Sequence, residues 1–376
     1  MAPPARPQQK EQETVTDVMP ATATSAYELG GVSIESRGAL SDAILGILTG
    51  DANRADDLAA LAAAAEEVED AARDDDVQLS LFLLYALCYG SLAQHGADWE
   101  WDTRLIEARL ILERAFEAAV RRQVGPLVEP APRAGEVAEA LFEMTKPTPG
   151  PSLSRYIARH ADAAQAREYL AQHSIYTLRE ADAHSWAIPR LTGRAKAALL
   201  EIQADEYGGG SHQRMHQVMY ASSLRGAGLD DTYGRYVDAV PAITLAAFNL
   251  MTMFGMNRRL RGAAVGHLAA FEMTSSIPCR FVAEGLRRVG FGDDVAAYYD
   301  EHVEADAVHE QIAGRDLAGS LAEDEPALVD DIVFGAAACL ALEGWAGDHI
   351  LERWQAGESS LRDSEAARGV DRTAAA

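Results

Sequence analysis

The chain has 376 residues, 48% of them hydrophobic and 24% charged, enough apolar material for one large core or two modest ones. With 58 acidic against 33 basic residues the net charge is −25, a surface that repels phosphate backbones and anionic lipid head groups and so argues against nucleic-acid and membrane partners. Cys88, Cys279 and Cys339 lie far apart without metal or disulfide spacing, which fits a reducing, cytoplasmic compartment.

The opening "MAPPARPQQKEQETVTDVMPATATS" has no apolar h-region, so residues 1–26 are expected to be a disordered tail. From 27 to 150 a helical region follows. Its most apolar run, "VQLSLFLLYALCYGSLA" at 77–93, contains Gln78, Ser80, Gly90 and Ser91 and has acidic flanks, so it reads as a buried core helix and not as a membrane span. At 103–122, Leu105, Ala108, Leu112, Ala115, Phe116 and Ala119 form one helical stripe. The proline-rich "VGPLVEPAPRAGE" and "TKPTPGPS" interrupt the helices at 124–136 and 145–152. The main helical domain spans 151–365, and 366–376 is expected to be a second disordered tail. Alternating patterns bounded by turn dipeptides are missing, so the fold class is all-α.

The residues that carry chemistry come late. Glu180 in "LREADAHSWAIPRL" sits on a segment closed by Pro189. In "EIQADEYGGGSHQRMH", Gly208 to Gly210 should break the helix. On an unbroken helix Glu206 and His216 would be about 15 Å apart along the axis; a glycine turn can aim them inward together. Glu272 in "VGHLAAFEMTSS" shares its face with Val265, Leu268 and Ala269, and an unpaired carboxylate there would be costly. In "HVEADAVH", His302, Asp306 and His309 fall within about 60° on one helix face.

Together Glu180, Glu206, His216, Glu272, His302, Asp306 and His309 offer four carboxylates and three imidazoles, a donor set that suits iron or manganese better than structural zinc. Four carboxylates also balance two divalent ions, which makes burial of a dinuclear site tolerable. A ferritin-like site would need Glu-x-x-His on two helices, whereas only His309 of the ten histidines has an acid three residues before it. His184, His212 and His267 read as surface groups or as groups that orient ligands, and Asp205 as a cap or a neighbour of a ligand. Arg258 and Arg261 in "NRRLRG", with Arg280, are candidates for holding a substrate carboxylate, although a solvated face is the plainer reading of that run.

In order and spacing this set resembles the heme-oxygenase-like diiron oxidases and oxygenases, also described as iron-containing redox enzymes. The intervals of 26, 10, 56, 30, 4 and 3 are similar to those of its N-oxygenase branch, known from streptozotocin biosynthesis. The resemblance covers about 150 to 360. It implies a heme-oxygenase-like bundle of about seven core helices without heme, two iron ions that react with O2 to form a peroxo-diferric oxidant, a small amino-acid-like substrate, an external electron donor and a homodimer. It further implies one iron on Glu206, His216 and His309 and the other on Glu272, His302 and Asp306, with Glu180 as the additional carboxylate of the N-oxygenase branch. N-oxygenation is the reaction favoured. Oxidative C–C cleavage or desaturation of an amino acid or fatty acid is the enzymatic alternative, and a non-catalytic metal-binding or scaffold protein is the alternative of another class.

Overall fold

The computed structural model describes residues 25–51, 57–92 and 99–373. The described chain opens with a hairpin and not a helix: β1 (Ala26–Leu29) pairs antiparallel with β2 (Val32–Glu35) across Gly30–Gly31. A two-residue Gly-Gly loop suits the twist of such a pair, and Leu29, Val32 and Ile34 are buried while Glu28 and Ser33 face water. Strands of four residues leave too short an alternation to stand out among helical patterns, which is why the expectation of helix from residue 27 needs correcting here.

Helices follow: α1 (Ala39–Leu48), α2 (Leu58–Ala64), α3 (Asp75–Tyr89), α4 (Thr103–Val124), α5 (Ala134–Met144), α6 (Leu153–Arg159), α7 (Ala163–Thr177) and α8 (Asp182–Ser185). They continue with α9 (Gly193–Glu206), α10 (His216–Gly226), α11 (Ala242–Met256), α12 (Arg261–Arg288), α13 (Asp293–Gln311), α14 (Ser320–Asp324), α15 (Val329–Gln355) and α16 (Glu365–Thr373). The fold is all-α apart from the hairpin. No helix among the described residues is long and apolar enough to cross a membrane. The apolar run of α3 is buried from Val77 to Ala86, and the Asp74 carboxylate caps it by accepting from Val77 N at 2.8 Å. In α4 the expected stripe is buried except for the half-buried Ala115, together with Glu113, which accepts from Tyr85 Oη at 3.1 Å and Asn257 Nδ2 at 3.0 Å.

One apolar core runs from Leu29 to Leu342, across the proline-rich connections. The buried Arg37 side chain donates to the Val237 and Val240 carbonyls at 2.6 and 2.9 Å, and the Asp238 carboxylate accepts from Glu35 N. The N-terminal third is thereby fastened to the later helices. A second core joins α6, α7, α10, α13 and α16 through Ile157, Leu170, Tyr220, Val295 and Val370. The segment expected as a C-terminal tail is therefore mostly helix. α16 buries Ala366, Ala367 and Val370, and Glu168 anchors the approach to it by accepting from Trp354 Nε1, Ser360 N and Ser360 Oγ at 2.6–2.9 Å.

At the centre α12 crosses α15 with the backbones nearly touching. A Cβ on Gly266 would lie 1.8 Å from the Ile332 carbonyl oxygen, and one on Gly335 would lie 2.0 Å from that of Ala263. Gly335→Val should force the two helices apart and destabilise the fold by about 1–3 kcal/mol or more, read as a lowered Tm. An unchanged Tm would contradict this packing.

Candidate metal centre

Local sequence brings six buried side chains together. After α7 the chain turns through Glu180 and Ala181, the latter at φ 72°, and Gln203 braces that turn by donating to the Ala181 carbonyl at 2.9 Å. Glu206 is the last residue of α9 and His216 the first of α10. Between them Gly208, Gly209 and Gly210 all take positive φ, and a Cβ on Gly208 would sit 2.6 Å from Arg214 C and Met215 N. Only glycine fits there. The reversal brings His216 Nδ1 to 2.8 Å from Glu206 Oε2. Glu272 projects from the middle of α12, and His302 and His309 lie two turns apart on α13. Immediately beyond His309 the chain widens into a π-helical stretch, Ile312–Gly319, a form that often marks functional sites.

The contacts fix the roles of the donor atoms. The Tyr298 hydroxyl donates to Glu180, with Oη 2.8 and 2.7 Å from the two carboxylate oxygens. His302 Nδ1 lies 2.8 Å from the Tyr298 carbonyl, which can only accept, so Nδ1 carries the hydrogen and Nε2 faces Glu180 Oε1 at 3.4 Å. His309 Nδ1 is 3.2 Å from Glu272 Oε2 and 3.7 Å from Glu206 Oε1, while its Nε2 is 3.2 Å from Asp205 Oδ2. Burial raises the Glu272 carboxyl above the usual range. Burial pushes Glu180 the same way, but the His302 ring outweighs it and holds Glu180 low.

The donor atoms form two groups. Glu180, Glu206, His216 and His302 each offer an atom within 4.8 Å of the others, and so do Glu206, Glu272 and His309. Glu206 belongs to both. The all-nitrogen-and-oxygen donor set fits iron, and His216 Nδ1, buried 2.8 Å from Glu206 Oε2 without a hydrogen bond of good geometry, is placed to turn its lone pair to an ion shared with that carboxylate. Two ligands of one metal ion, each about 2.1 Å from it, stand at such a separation. Tyr176, Ala181, His184, Leu268, Phe271 and Ser275 complete the wall of the cavity, whose free volume of about 10 Å³ is that of one water.

In this grouping His302 and His309 exchange places relative to the expected one, and Glu180 stands with Glu206 and His216. Seven residues span about 10 Å of helix, so the two imidazoles address different ends of the cluster. The Asp306 side chain lies outside the described residues. Asp205 touches His309 as a neighbour of the ligands while remaining largely exposed. His184 and His267 are buried and face each other at 3.2 Å, whereas His212 is exposed. The arginines do not reach the cavity. Arg258 is exposed, Arg261 is ion-paired with Glu325, and Arg280 is exposed beside Phe281. Along α12, Arg261 and Arg280 stand about 16 and 12 Å from Glu272, too far for a side chain to span. Sequence reading missed Tyr298, although its position four residues before His302 places it on the same helix face.

Burial alone would lower the His309 pKa, but Glu272, Asp205 and Glu206 outweigh it and raise the ring to about 9. Its folded value thus lies above the ordinary one near 6.5. In metal-free protein the resulting stabilisation is fully present below about pH 6.5 and is lost as pH rises through about 9. A divalent metal must displace this proton. Loading at neutral pH should therefore release a proton, and affinity should rise up to about tenfold per pH unit until about pH 9. Calorimetry in two buffers of different ionisation enthalpy checks this, and heats independent of buffer would contradict it.

Residues 167–344 match the family described as iron-containing redox enzymes, and all seven residues singled out in the sequence fall inside that stretch. Over 172 residues the chain is 29% identical to a nitrosourea synthase of Streptomyces achromogenes subsp. streptozoticus, covering 45% of this chain and 36% of that protein. The chain thus spans about a third of the length of this curated relative. The match covers 178 of the 376 residues, a little under half of the chain, and marks residues 167–344 as similar to the iron-containing redox enzyme domain.

Proposed function

We propose that this protein is an O2-dependent nonheme diiron oxygenase that oxidises a nitrogen of a small amino-acid-like metabolite. The observation that carries the reading is Glu206, whose carboxylate is shared by two adjoining donor groups. One iron would be held by Glu180, His216 and His302 and the other by Glu272 and His309, with Glu206 between them. Asp306, one helical turn before His309 in sequence, is kept as a ligand of the second. Bound iron supplies the chemistry of dioxygen reduction and oxygen transfer.

The surrounding residues do the rest. Leu268 and Phe271 line the cavity with apolar surface that limits water, and the Tyr298 carbonyl holds His302 in one tautomer. A cavity with room for about one water cannot hold a substrate beside the metal, so the substrate must approach from outside it or widen it. Inserting one oxygen atom of O2 into an N–H bond while reducing the other to water needs two electrons and two protons, which an external donor would provide. The relative's name, which speaks of nitrosourea synthesis, favours oxidation at nitrogen.

Anaerobic loading with ferrous iron should give about two irons per chain. Glu206→Ala should lose both, and Glu272→Ala the one beside His309. Mixing the loaded enzyme with 18O2 and a panel of amino acids and their N-substituted derivatives should yield a product that gains labelled oxygen on nitrogen. Loss of two hydrogens without added oxygen would indicate desaturation, and loaded protein that consumes no O2 would indicate a non-catalytic site.

A further inference from the structure

Beneath the centre lies a group of tyrosines whose phenol chemistry the proposed reaction does not use. Tyr298 is hydrogen-bonded to Glu180, and its ring centroid is 4.3 Å from that of His302. Tyr299 stands perpendicular to it at 5.0 Å, and Tyr169 follows at 6.4 Å from Tyr299. Tyr220 branches off at 5.0 Å from Tyr298 and is held by the Leu170 carbonyl at 2.7 Å. Tyr298 and Tyr299 are buried, whereas Tyr169 is partly exposed. The rings thus lead, in centroid steps of 5.0 and 6.4 Å, from a candidate ligand to a half-buried tyrosine.

Packing alone does not account for the Tyr299 hydroxyl. Tyr299 Oη is buried without a hydrogen bond of good geometry, its nearest polar neighbours being the Tyr169 and Tyr220 phenols. A phenylalanine would fill the same space without burying that hydroxyl. What phenols add is the ability to give up one electron and one proton. At Tyr298 an acceptor for the proton is already in place, in the Glu180 carboxylate.

We propose that Tyr298, Tyr299 and Tyr169 form a relay that drains oxidising equivalents from the metal centre to the surface when O2 has reacted and no substrate is present. This rests on the functional reading above. For each equivalent one electron passes from Tyr298 to the oxidised centre and its phenolic proton passes to Glu180. Tyr299 and then Tyr169 refill the vacancy. At Tyr169 a soluble low-molecular-weight thiol supplies the electron that restores the phenol. As each electron arrives from Tyr299, the proton on Glu180 returns to Tyr298; two equivalents convert two thiols into a disulfide, the two thiol protons are released to solvent at the surface, and two protons from solvent complete the reduction at the centre.

The test mixes ferrous-loaded full-length protein with O2 without substrate, follows iron content and O2 uptake, and freezes samples over time for electron paramagnetic resonance. The wild type should show an organic radical whose hyperfine pattern changes with ring-deuterated tyrosine and whose decay a thiol accelerates. Tyr298→Phe should abolish it and raise oxidation of the His302 and His309 peptides several-fold, read by mass spectrometry. Should Tyr298→Phe lose iron, Tyr299→Phe, which touches no candidate ligand, replaces it: the radical should then stay on Tyr298 and persist several-fold longer. Iron binding and O2 uptake with no tyrosine-derived signal, and equal peptide oxidation in wild type and variants, would overturn the relay alone. Absence of iron binding or of O2 uptake would overturn the functional reading and the relay with it.

Discussion

The interior of this bundle must accommodate Glu180, Glu206, Glu272, His216, His302 and His309, none more than 6% exposed. Each would be costly to bury alone, because desolvation of an unpaired charge exceeds what packing returns. The helices solve this by convergence. Every one of the six lies within reach of another, and Glu206 stands between the two groups. In metal-free protein a proton on His309 supplies part of the missing positive charge. The same acids and imidazoles therefore support the fold without metal and would bind metal in exchange for protons.

Much of the remaining structure serves this convergence. The Gly208–Gly210 reversal returns the chain from Glu206 to His216, and the close crossing of α12 and α15 fixes the helix that carries Glu272. The N-terminal third acts at the third point. Tyr89 at the end of α3 accepts from Arg179 at its carbonyl and lies under the Arg179 guanidinium at 5.5 Å, beside the turn that exposes Glu180 to the cavity. A region that contributes none of the candidate ligands thus buttresses one of them.

The helical class, the buried run of α3, the stripe of α4 and the glycine break were legible because each depends on local periodicity or on a backbone conformation that one residue type favours. The candidate ligands were legible because ionisable groups in apolar helical faces need partners. What escaped depends on three-dimensional placement. Which of His302 and His309 joins which carboxylates follows from how α10 and α12 lie against α13. The arginines of "NRRLRG" looked available because sequence distance does not show that Glu325 holds Arg261 and that Arg258 points to water. The hairpin at 26–35 and α16 are short elements whose stability comes from what they cover, so their own patterns carried little signal.

The central claim is that two metal ions share one carboxylate. A crystal structure of the protein loaded anaerobically with ferrous iron, with anomalous differences measured at the iron edge, tests it most directly. Two iron peaks on either side of the Glu206 carboxylate, one beside His216 and His302 and the other beside His309, are the predicted result. A single peak, or iron bound away from Glu206, would contradict the account.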